Sequence, residues 1–309
     1  MSHRCLLLFV AFLISACATS TRQTDRLVRS SQDLKKEHYL NVPFVEQAQY
    51  LCGPAAMTMV MQHTGNFTPL NLLTEQMYTK ELKGTFQTEM MSAARRQGFL
   101  PLPVRNLHDL LKEVSNGHPV IVFQNLGLKS FPKWHYAVVT GYNLAVPEII
   151  LHSGKEKNQK MDMRLFERTW VYADSWALTV ETPDDLPSTA TELDVAREAV
   201  MFESLGKTKL ARDIYLSMLK KWPRSYIAHI GLGNTSYALK DYSSSMSYLE
   251  RASRIFPDKP EIWHNLAFAA DKNHKVAFAR RSSAKAVSLA GAKEKDFRSS
   301  LSKWLTESP

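Results

Sequence analysis

Hydrophobic and polar positions follow two different patterns along the chain, and the change falls near residue 182. Before it, short apolar runs such as Pro119-Val-Ile-Val-Phe123 indicate buried strands, and helix-like segments lie between them. After it, apolar residues recur at helical spacing alone. The pattern therefore predicts an α+β domain followed by an all-α domain.

The first domain is predicted to alternate strands and helices in a definite order. Val42, Phe44 and Val45 suggest a strand, and Gly53-Pro54 punctuates the chain before a helix over 55–62. The remaining segments are predicted to be helices over 70–78, 88–97, 107–116 and 163–170, strands over 119–123, 135–142, 148–154 and 175–180, and a charged, hairpin-like connection over 155–162. We expect an antiparallel sheet packed with these helices.

The second domain carries an internal repeat. Pro223 and Pro257 lie 34 residues apart, and each follows an aromatic residue, Trp222 or Phe256. This period resembles the tetratricopeptide repeat, with units over 192–225, 226–259 and 260–293 and a capping helix from 292 onward. The resemblance implies stacked helix pairs whose groove binds a peptide or protein partner. The alternative is that these helices only brace the neighbouring domain.

The N-terminus has the organisation of an export signal. A short basic segment precedes an apolar core over 5–14, which is too short for a comfortable membrane span. Ile14-Ser-Ala-Cys17 resembles the lipobox of bacterial lipoproteins, which implies a signal peptide over 1–16, lipidation of Cys17 and a membrane anchor. Ala18 then implies the outer membrane, facing the periplasm. The alternative is an ordinary signal peptide cut at Ala16 or Ala18. The polar residues up to 38 are interpreted as a tether.

Composition and charge narrow the function classes. Across 309 residues, 44% hydrophobic and 22% charged content is typical of a folded protein and excludes disorder as the main state. The formal net charge of +9 is spread along the chain rather than clustered with aromatic residues. We therefore predict no nucleic-acid partner and consider an anionic membrane face the better match.

Cys52 is the cysteine that lies outside the export segment, because Cys5 and Cys17 belong to that segment. It falls where a helix is predicted to begin, and unpaired backbone N–H groups there would stabilise a thiolate. Gln47, five positions upstream, is a candidate donor to an oxyanion. The residue type and position favour a nucleophile.

The motif Gln47-x4-Cys52-Gly-Pro-Ala-Ala, followed by Trp134-His135-Tyr-Ala-Val-Val-Thr-Gly-Tyr142, resembles the bacteriocin-processing (C39-like) cysteine peptidases, a papain-like family. The resemblance spans residues 39–181. It implies that Cys52 is the nucleophile, that His135 is the base and that Gln47 assists the oxyanion hole. We expect neither a cofactor nor a metal, and the methionines at 57, 59, 61, 90 and 91 are interpreted as core residues.

The third catalytic position departs from the family. The family has an Asp after the strand that follows the His strand, whereas Ser153 stands there in this chain. A hydroxyl accepts a ring N–H but brings no charge to an imidazolium. Three outcomes stay open: a weaker Cys–His enzyme, another orienting group such as Asn143 or a backbone carbonyl, or a domain that binds without cutting.

These observations predict a lipid-anchored cysteine peptidase of the cell envelope with a repeat domain for peptide or protein binding. The predicted boundaries are 1–16 for the signal peptide, 17–38 for the tether, 39–181 for the peptidase domain, 182–191 for a linker and 192–309 for the repeats. One alternative is an inactive scaffold that recruits a partner through its repeats. Another is acyl transfer or amide cleavage on cell-wall peptides.

Overall fold

The structure is a computed structural model that describes residues 21–30 and 32–305. The described chain divides into two compact units. The first runs to Thr182 and includes Leu186–Ala190, and the second contains Pro183–Asp185 and the residues from Thr191 onward. The predicted signal peptide at 1–16 and the predicted lipidation site Cys17 lie outside the described residues.

An antiparallel sheet of seven strands forms the centre of the first unit. The strands are β1 (Glu37–Tyr39), β2 (Leu100–Pro103), β3 (Val120–Asn125), β4 (Trp134–Asn143), β5 (Glu148–Ser153), β6 (Glu156–Asp162) and β7 (Ala177–Glu181). Six of them lie side by side in the order β2, β7, β3, β4, β5, β6. The remaining strand, β1, pairs with the last residues of β4, after the residues of β4 that pair with β3.

Six α-helices in the described part of the first unit accompany this sheet. They are α1 (Arg22–Ser30), α2 (Cys52–His63), α3 (Leu70–Met77), α4 (Gln87–Arg96), α5 (Leu107–Ser115) and α6 (Met163–Val171). The central helix α2 is buried along most of its length because alanines and methionines occupy all its faces, and the three methionines Met57, Met59 and Met61 are core residues as predicted. The predicted fold class, an antiparallel sheet packed with N-terminal helices, is confirmed.

Strand β4 lies in the interior of the sheet, between β3 and β5. Its residues from Tyr136 to Tyr142 are buried, as expected for a strand covered on both faces, whereas Trp134 at its start is exposed. His135 pairs in register with Gln124 of β3. The first two residues of β4 therefore lie outside the core.

One predicted element was wrong, and a second is more regular than predicted. Residues 42–45 are irregular rather than a strand, since the Val42 carbonyl is bound by the His152 ring, 3.1 Å from Nε2, instead of by a neighbouring strand. The predicted hairpin-like connection at 155–162 is mostly strand β6, which pairs with β5 at the edge of the sheet. Charged residues are tolerated there because β6 is largely exposed.

The tether predicted up to residue 38 is another correction, because helix α1 packs on the first unit. Its N-terminus is held by the buried carboxylate of Glu167, which accepts hydrogen bonds from Gln23 N at 3.0 Å, Thr24 N at 2.8 Å and Thr24 Oγ1 at 2.6 Å. Leu27 is buried on the same helix. A buried acid thus caps a helix that has little apolar content of its own.

The second unit consists of helix pairs. They are α7 (Glu192–Ser204) with α8 (Thr208–Lys221), α9 (Tyr226–Ala238) with α10 (Tyr242–Ile255), and α11 (Pro260–Lys272) with α12 (Val276–Leu289). Two short helices, α13 (Glu294–Ser300) and α14 (Ser302–Leu305), follow. Corresponding helices begin 34 residues apart, as at Tyr226 and Pro260, which confirms the predicted tetratricopeptide-type repeat.

Close packing between these helices explains small residues in the repeat. A Cβ added to Gly233 of α9 would lie 2.5 Å from the Leu249 side chain of α10, so only glycine allows the helices this approach. Among the described residues, no helix has the length and apolar content that crossing a membrane requires.

Candidate active site

Cys52 is the first residue of α2 and is half-buried. A turn precedes it, in which Leu51 N donates to the Ala48 carbonyl at 3.1 Å and Tyr50 has a left-handed φ of 67°. Gly53 follows, and a Cβ there would lie 2.8 Å from Thr85 Cβ. The strained turn and the close approach of Thr85 together fix where the helix starts and where the thiol lies.

The thiol is not the stabilised thiolate that its position at a helix start predicted. Burial raises the pKa of Cys52 above its ordinary value, although hydrogen bonds from the backbone N–H groups of Tyr136, Gly53 and Cys52 act in the opposite direction. Desolvation outweighs the helix N-terminus because the sulfur is largely enclosed. The thiol of Cys52 is therefore neutral at rest.

His135 presents its imidazole near the start of β4. Its Nε2 lies 2.9 Å from the hydroxyl oxygen of Ser153, which leaves Nδ1 as the ring nitrogen available to a thiol. Burial, and then the positive charge of Lys133, lower the pKa of His135 to about 4. The imidazole is thus neutral at physiological pH and able to accept a proton.

Ser153 occupies the position predicted for the third catalytic residue, at the end of β5. The predicted alternative Asn143 is wrong, because that side chain lies at the opposite end of β4. It donates to Glu37 at 3.0 Å and accepts from Ala145 N at 2.8 Å. Among the described residues, the hydrogen-bond partner of the His135 ring is this hydroxyl and not a carboxylate.

Gln47 is held in one orientation by the backbone. Its Oε1 accepts from Gly154 N at 2.9 Å, its Nε2 donates to the Tyr136 carbonyl at 3.3 Å, and its own N–H donates to the Gly154 carbonyl. Since the amide nitrogen has two N–H groups, one is left for an oxyanion. The strand-end residue Gly154 therefore positions the predicted oxyanion donor.

Gln47, Cys52 and His135 line one cleft of about 690 Å³. The rest of its wall is mainly aromatic, from Phe86, Phe123, Trp134 and other side chains. Trp134 stacks on Phe123 with ring centroids 5.2 Å apart. The structure thus brings the three predicted site residues to one surface that is large enough for a peptide segment.

Tyr136 is a site residue that the sequence analysis missed. Its N–H contacts the Cys52 thiol, its carbonyl accepts from Gln47, and its hydroxyl donates to the Thr85 carbonyl at 3.1 Å. Its place directly after His135 in the motif was the signal available. Because one residue contacts the thiol and the amide, it fixes the distance between nucleophile and oxyanion donor.

His152, which the motif left ambiguous, has a structural role. The Asn158 N–H donates to its Nδ1 at 3.2 Å, so Nε2 carries the proton and donates to the Val42 carbonyl. Its ring also contacts Phe44 edge-on, with centroids 5.2 Å apart. His152 thus anchors the segment that leads to Gln47.

Comparison with known proteins finds one family model that matches this region. Residues 39–178 match the sequence model of the Peptidase_C39 like family, which confirms the resemblance predicted from the cysteine and histidine motifs. The chain is similar to the crystal structure of a C39-like peptidase from Bacillus anthracis at 18% identity, over 47% of this chain and 98% of that chain, with a TM-score of 0.42. No curated protein matches the chain.

Solved helical-repeat structures are similar to the C-terminal part. The TPR domain of Sgt2 from Aspergillus fumigatus is 17% identical over 37% of this chain and 76% of that chain, with a TM-score of 0.35. The Yersinia enterocolitica type III secretion chaperone SycD, in complex with a peptide of the translocator YopD, is 16% identical over 38% of this chain and 93% of that chain, with a TM-score of 0.36.

Proposed function

We propose that the first unit hydrolyses peptide bonds by a Cys–His mechanism. The observation that carries the proposal is the convergence of Cys52, His135 and Gln47 on one cleft, with the imidazole oriented through its Nε2. The match of this region to a peptidase family supports it. Because the cleft is open to solvent and lined by aromatic side chains, an extended peptide is the expected substrate.

In this mechanism the thiol and imidazole start neutral. As the Cys52 sulfur attacks the peptide carbonyl, its proton passes to Nδ1 of His135, and the imidazolium donates from Nε2 to Ser153. The backbone N–H of Cys52 at the start of the helix and the free N–H of Gln47 Nε2 stabilise the oxyanion.

The second half of the cycle returns the enzyme to its resting state. His135 gives its proton to the leaving amine, which departs and leaves a thioester on Cys52. Water then loses a proton to His135 and attacks the thioester. The C–S bond breaks as His135 returns that proton to the sulfur, which regenerates the thiol and releases a free carboxylic acid.

A peptidyl epoxide tests the proposal directly, because it alkylates only an activated thiol. We expect labelling of Cys52, located by mass spectrometry, and cleavage of a fluorogenic peptide mixture. Cys52→Ala and His135→Ala should each lower the cleavage rate by about 10³-fold or more. Folded protein that is neither labelled nor active would refute the peptidase.

An inactive scaffold is the second candidate, and the hydroxyl of Ser153 in place of a carboxylate favours it. An uncharged partner stabilises the imidazolium less than an ionised one. The same labelling experiment separates the two candidates, because a decayed site leaves Cys52 unmodified. Hydrolysis of cell-wall peptides in place of protein peptides would instead support the amidase alternative.

We also propose that the repeats bind a peptide or protein partner. Within the second unit, a groove of about 320 Å³ is lined by Asn234, Asn265 and Phe268 among others, and Asn265 Nδ2 donates to Asn234 Oδ1 at 2.7 Å. Amide side chains in such a groove suit the backbone of an extended segment. Crosslinking from Asn234 replaced by a photoreactive residue identifies the partner.

Lipidation of Cys17 and location in the outer membrane, facing the periplasm, complete the proposed function. The lipobox motif supports this proposal. Fractionation tests it: the chain should separate with outer-membrane vesicles, and Cys17→Ser should abolish fatty-acid incorporation.

A further inference from the structure

We propose that the cleft selects peptides that carry a carboxylate beside an apolar side chain. The inference rests on the proposed peptidase site and adds its substrate class. Lys83 and Lys133 both line the cleft, and no Asp or Glu is among the described residues that line it. A cleft with positive charge alone attracts anionic ligands and disfavours cationic ones.

The two lysines are available to a ligand. Neither forms an ion pair with another residue in the described part of the chain, and both are exposed. Lys83 Nζ lies 5.9 Å from the centre of the Tyr50 ring, which also lines the cleft. Glu46, next to Gln47 in the chain, is engaged by Lys155 at 3.3 Å and so does not neutralise them.

The charge of Lys133 reaches the reacting groups. It lies two residues before His135, and its field is one of the causes that keep the imidazole uncharged. A cation this close to the thiol and imidazole faces the same part of the substrate as they do. The carboxylate is therefore expected within a few residues of the bond that is cut.

The preference for an apolar side chain comes from the aromatic residues that line the same cleft. Trp134 and Phe86 are each 52% exposed, although both are large aromatic side chains. Trp134 is supported by Phe123, which in turn contacts Tyr136 with ring centroids 4.5 Å apart. A stacked, preformed aromatic surface binds an apolar side chain at little entropic cost.

Binding to the full-length Cys52→Ala variant tests the inference without requiring catalysis. The probes are short peptides in which a single Glu is scanned past a Phe, each compared with its isosteric Gln version. We expect the best Glu peptide to bind roughly tenfold more tightly than its Gln partner at low salt, and the advantage to shrink as ionic strength rises.

Charge reversal identifies the residues responsible. Lys83→Glu and Lys133→Glu should each reduce or invert the preference for Glu. Lys160→Glu is the matched control, since it changes the net charge equally but lies on β6, away from the cleft lining. The Lys160→Glu variant should prefer Glu peptides over Gln peptides as strongly as the Cys52→Ala protein does.

The outcomes separate this inference from the proposed function. Equal affinity for Glu and Gln peptides, or the same loss in Lys160→Glu, overturns the substrate class even if peptides are cut. A Glu preference that depends on Lys83 and Lys133 supports it even if Cys52 proves unreactive toward the peptidyl epoxide.

Discussion

Burial and the charge of Lys133 lower the pKa of His135, and its hydrogen-bond partner Ser153 brings no charge that opposes them. The hydroxyl oxygen of Ser153 lies 2.9 Å from Nε2, which leaves Nδ1 as the ring nitrogen available to the thiol. It cannot offset the burial that lowers the pKa of His135 to about 4. The site is consequently oriented but weakly basic, which favours proton transfer during attack over a preformed ion pair.

Ser153→Asp should convert the neutral pair of residue 153 and His135 into a carboxylate–imidazolium pair. In the parent, kcat/KM should rise with pH through about 4 and then stay level to neutral pH, because the base is active when deprotonated. A carboxylate favours the imidazolium, so the rise should move up by roughly one to three pH units and the rate at pH 7 should increase. The pH profile of peptide cleavage measures both.

Ser153→Asn serves as the control, because it retains a hydrogen-bond acceptor without charge. Its profile should keep the rise near pH 4. If Ser153→Asp leaves the profile in place as well, the residue does not act on the imidazole.

Gly53 fixes the position of the Cys52 thiol because it has no side chain. A Cβ there would lie 2.8 Å from both Cβ and Oγ1 of Thr85, so Gly53→Ala should shift the start of α2 and cost about 1–3 kcal/mol of unfolding free energy. Peptide cleavage should fall with it. Thermal unfolding and cleavage rates measure the two effects.

Removing the Thr85 side chain tests whether this steric contact is the cause. The double variant Gly53→Ala with Thr85→Gly should recover activity relative to Gly53→Ala alone, because the Tyr136 hydroxyl is bound by the backbone carbonyl of Thr85 and not by its side chain. Additive losses would contradict the steric explanation.

At the scale of elements, the structure departs most from the sequence where a tertiary partner decides the conformation. Helix α1 has Leu27 and Val28 as its only strongly apolar residues, so its periodicity is weak. It forms because Glu167, some 140 positions away, caps it. A single sequence offers no signal for that pairing, whereas β3 can be predicted from its continuous apolar run.

Glu167→Ala should release α1. The carboxylate binds two backbone N–H groups and a hydroxyl, and its removal leaves them without these bonds at a cost of about 2 kcal/mol or more. The exposed Arg26 and Arg29 should then become rapid trypsin sites. Limited digestion with mass spectrometry detects this change.

Arg164→Ala is the comparison for that digestion. Its ion pair with Asp25 also contacts α1 but is about half exposed, so its loss should cost under about 1 kcal/mol. Equal cleavage of both variants would show that the buried cap is not what holds the helix.

At the scale of the whole molecule, the second unit was the most predictable and the active site the next. The spacing of Pro223 and Pro257 reports the helix starts directly, because each repeat is a local structure with a fixed length. The motif was sufficient to predict Cys52 and His135 as site residues, but it did not predict their protonation states. Burial decides those states, and it depends on the packing of residues distant in sequence.

The pH stability of the first unit depends on a buried acid, Glu113. It accepts hydrogen bonds from Ser188 and Thr189 and lies 2.7 Å from His118. Burial acts to raise its pKa, but these partners outweigh burial and hold the pKa at about 2. Since the pKa is depressed on folding, the acid stabilises the protein above pH 4.5 by about 3 kcal/mol, and this is lost as the pH falls toward 2.

Glu113→Gln isolates that contribution. The difference in urea midpoint between the parent and this variant should be large at pH 6 and small near pH 2.5. Glu156→Gln, on the exposed strand β6, should show little difference at either pH. If the difference in urea midpoint is as large near pH 2.5 as at pH 6, the ionisation of Glu113 does not stabilise the protein.

The docking of α1 also limits how far from a membrane the first unit could act as the proposed peptidase. If Cys17 carries lipid, only Ala18, Thr19, Ser20 and Thr21 separate the acylated residue from a helix fastened to the catalytic unit. Fully extended, that stretch reaches about 18 Å. Proteolysis would then be confined to a thin layer above the bilayer, so distance from the lipid surface would select substrates as much as their sequence does.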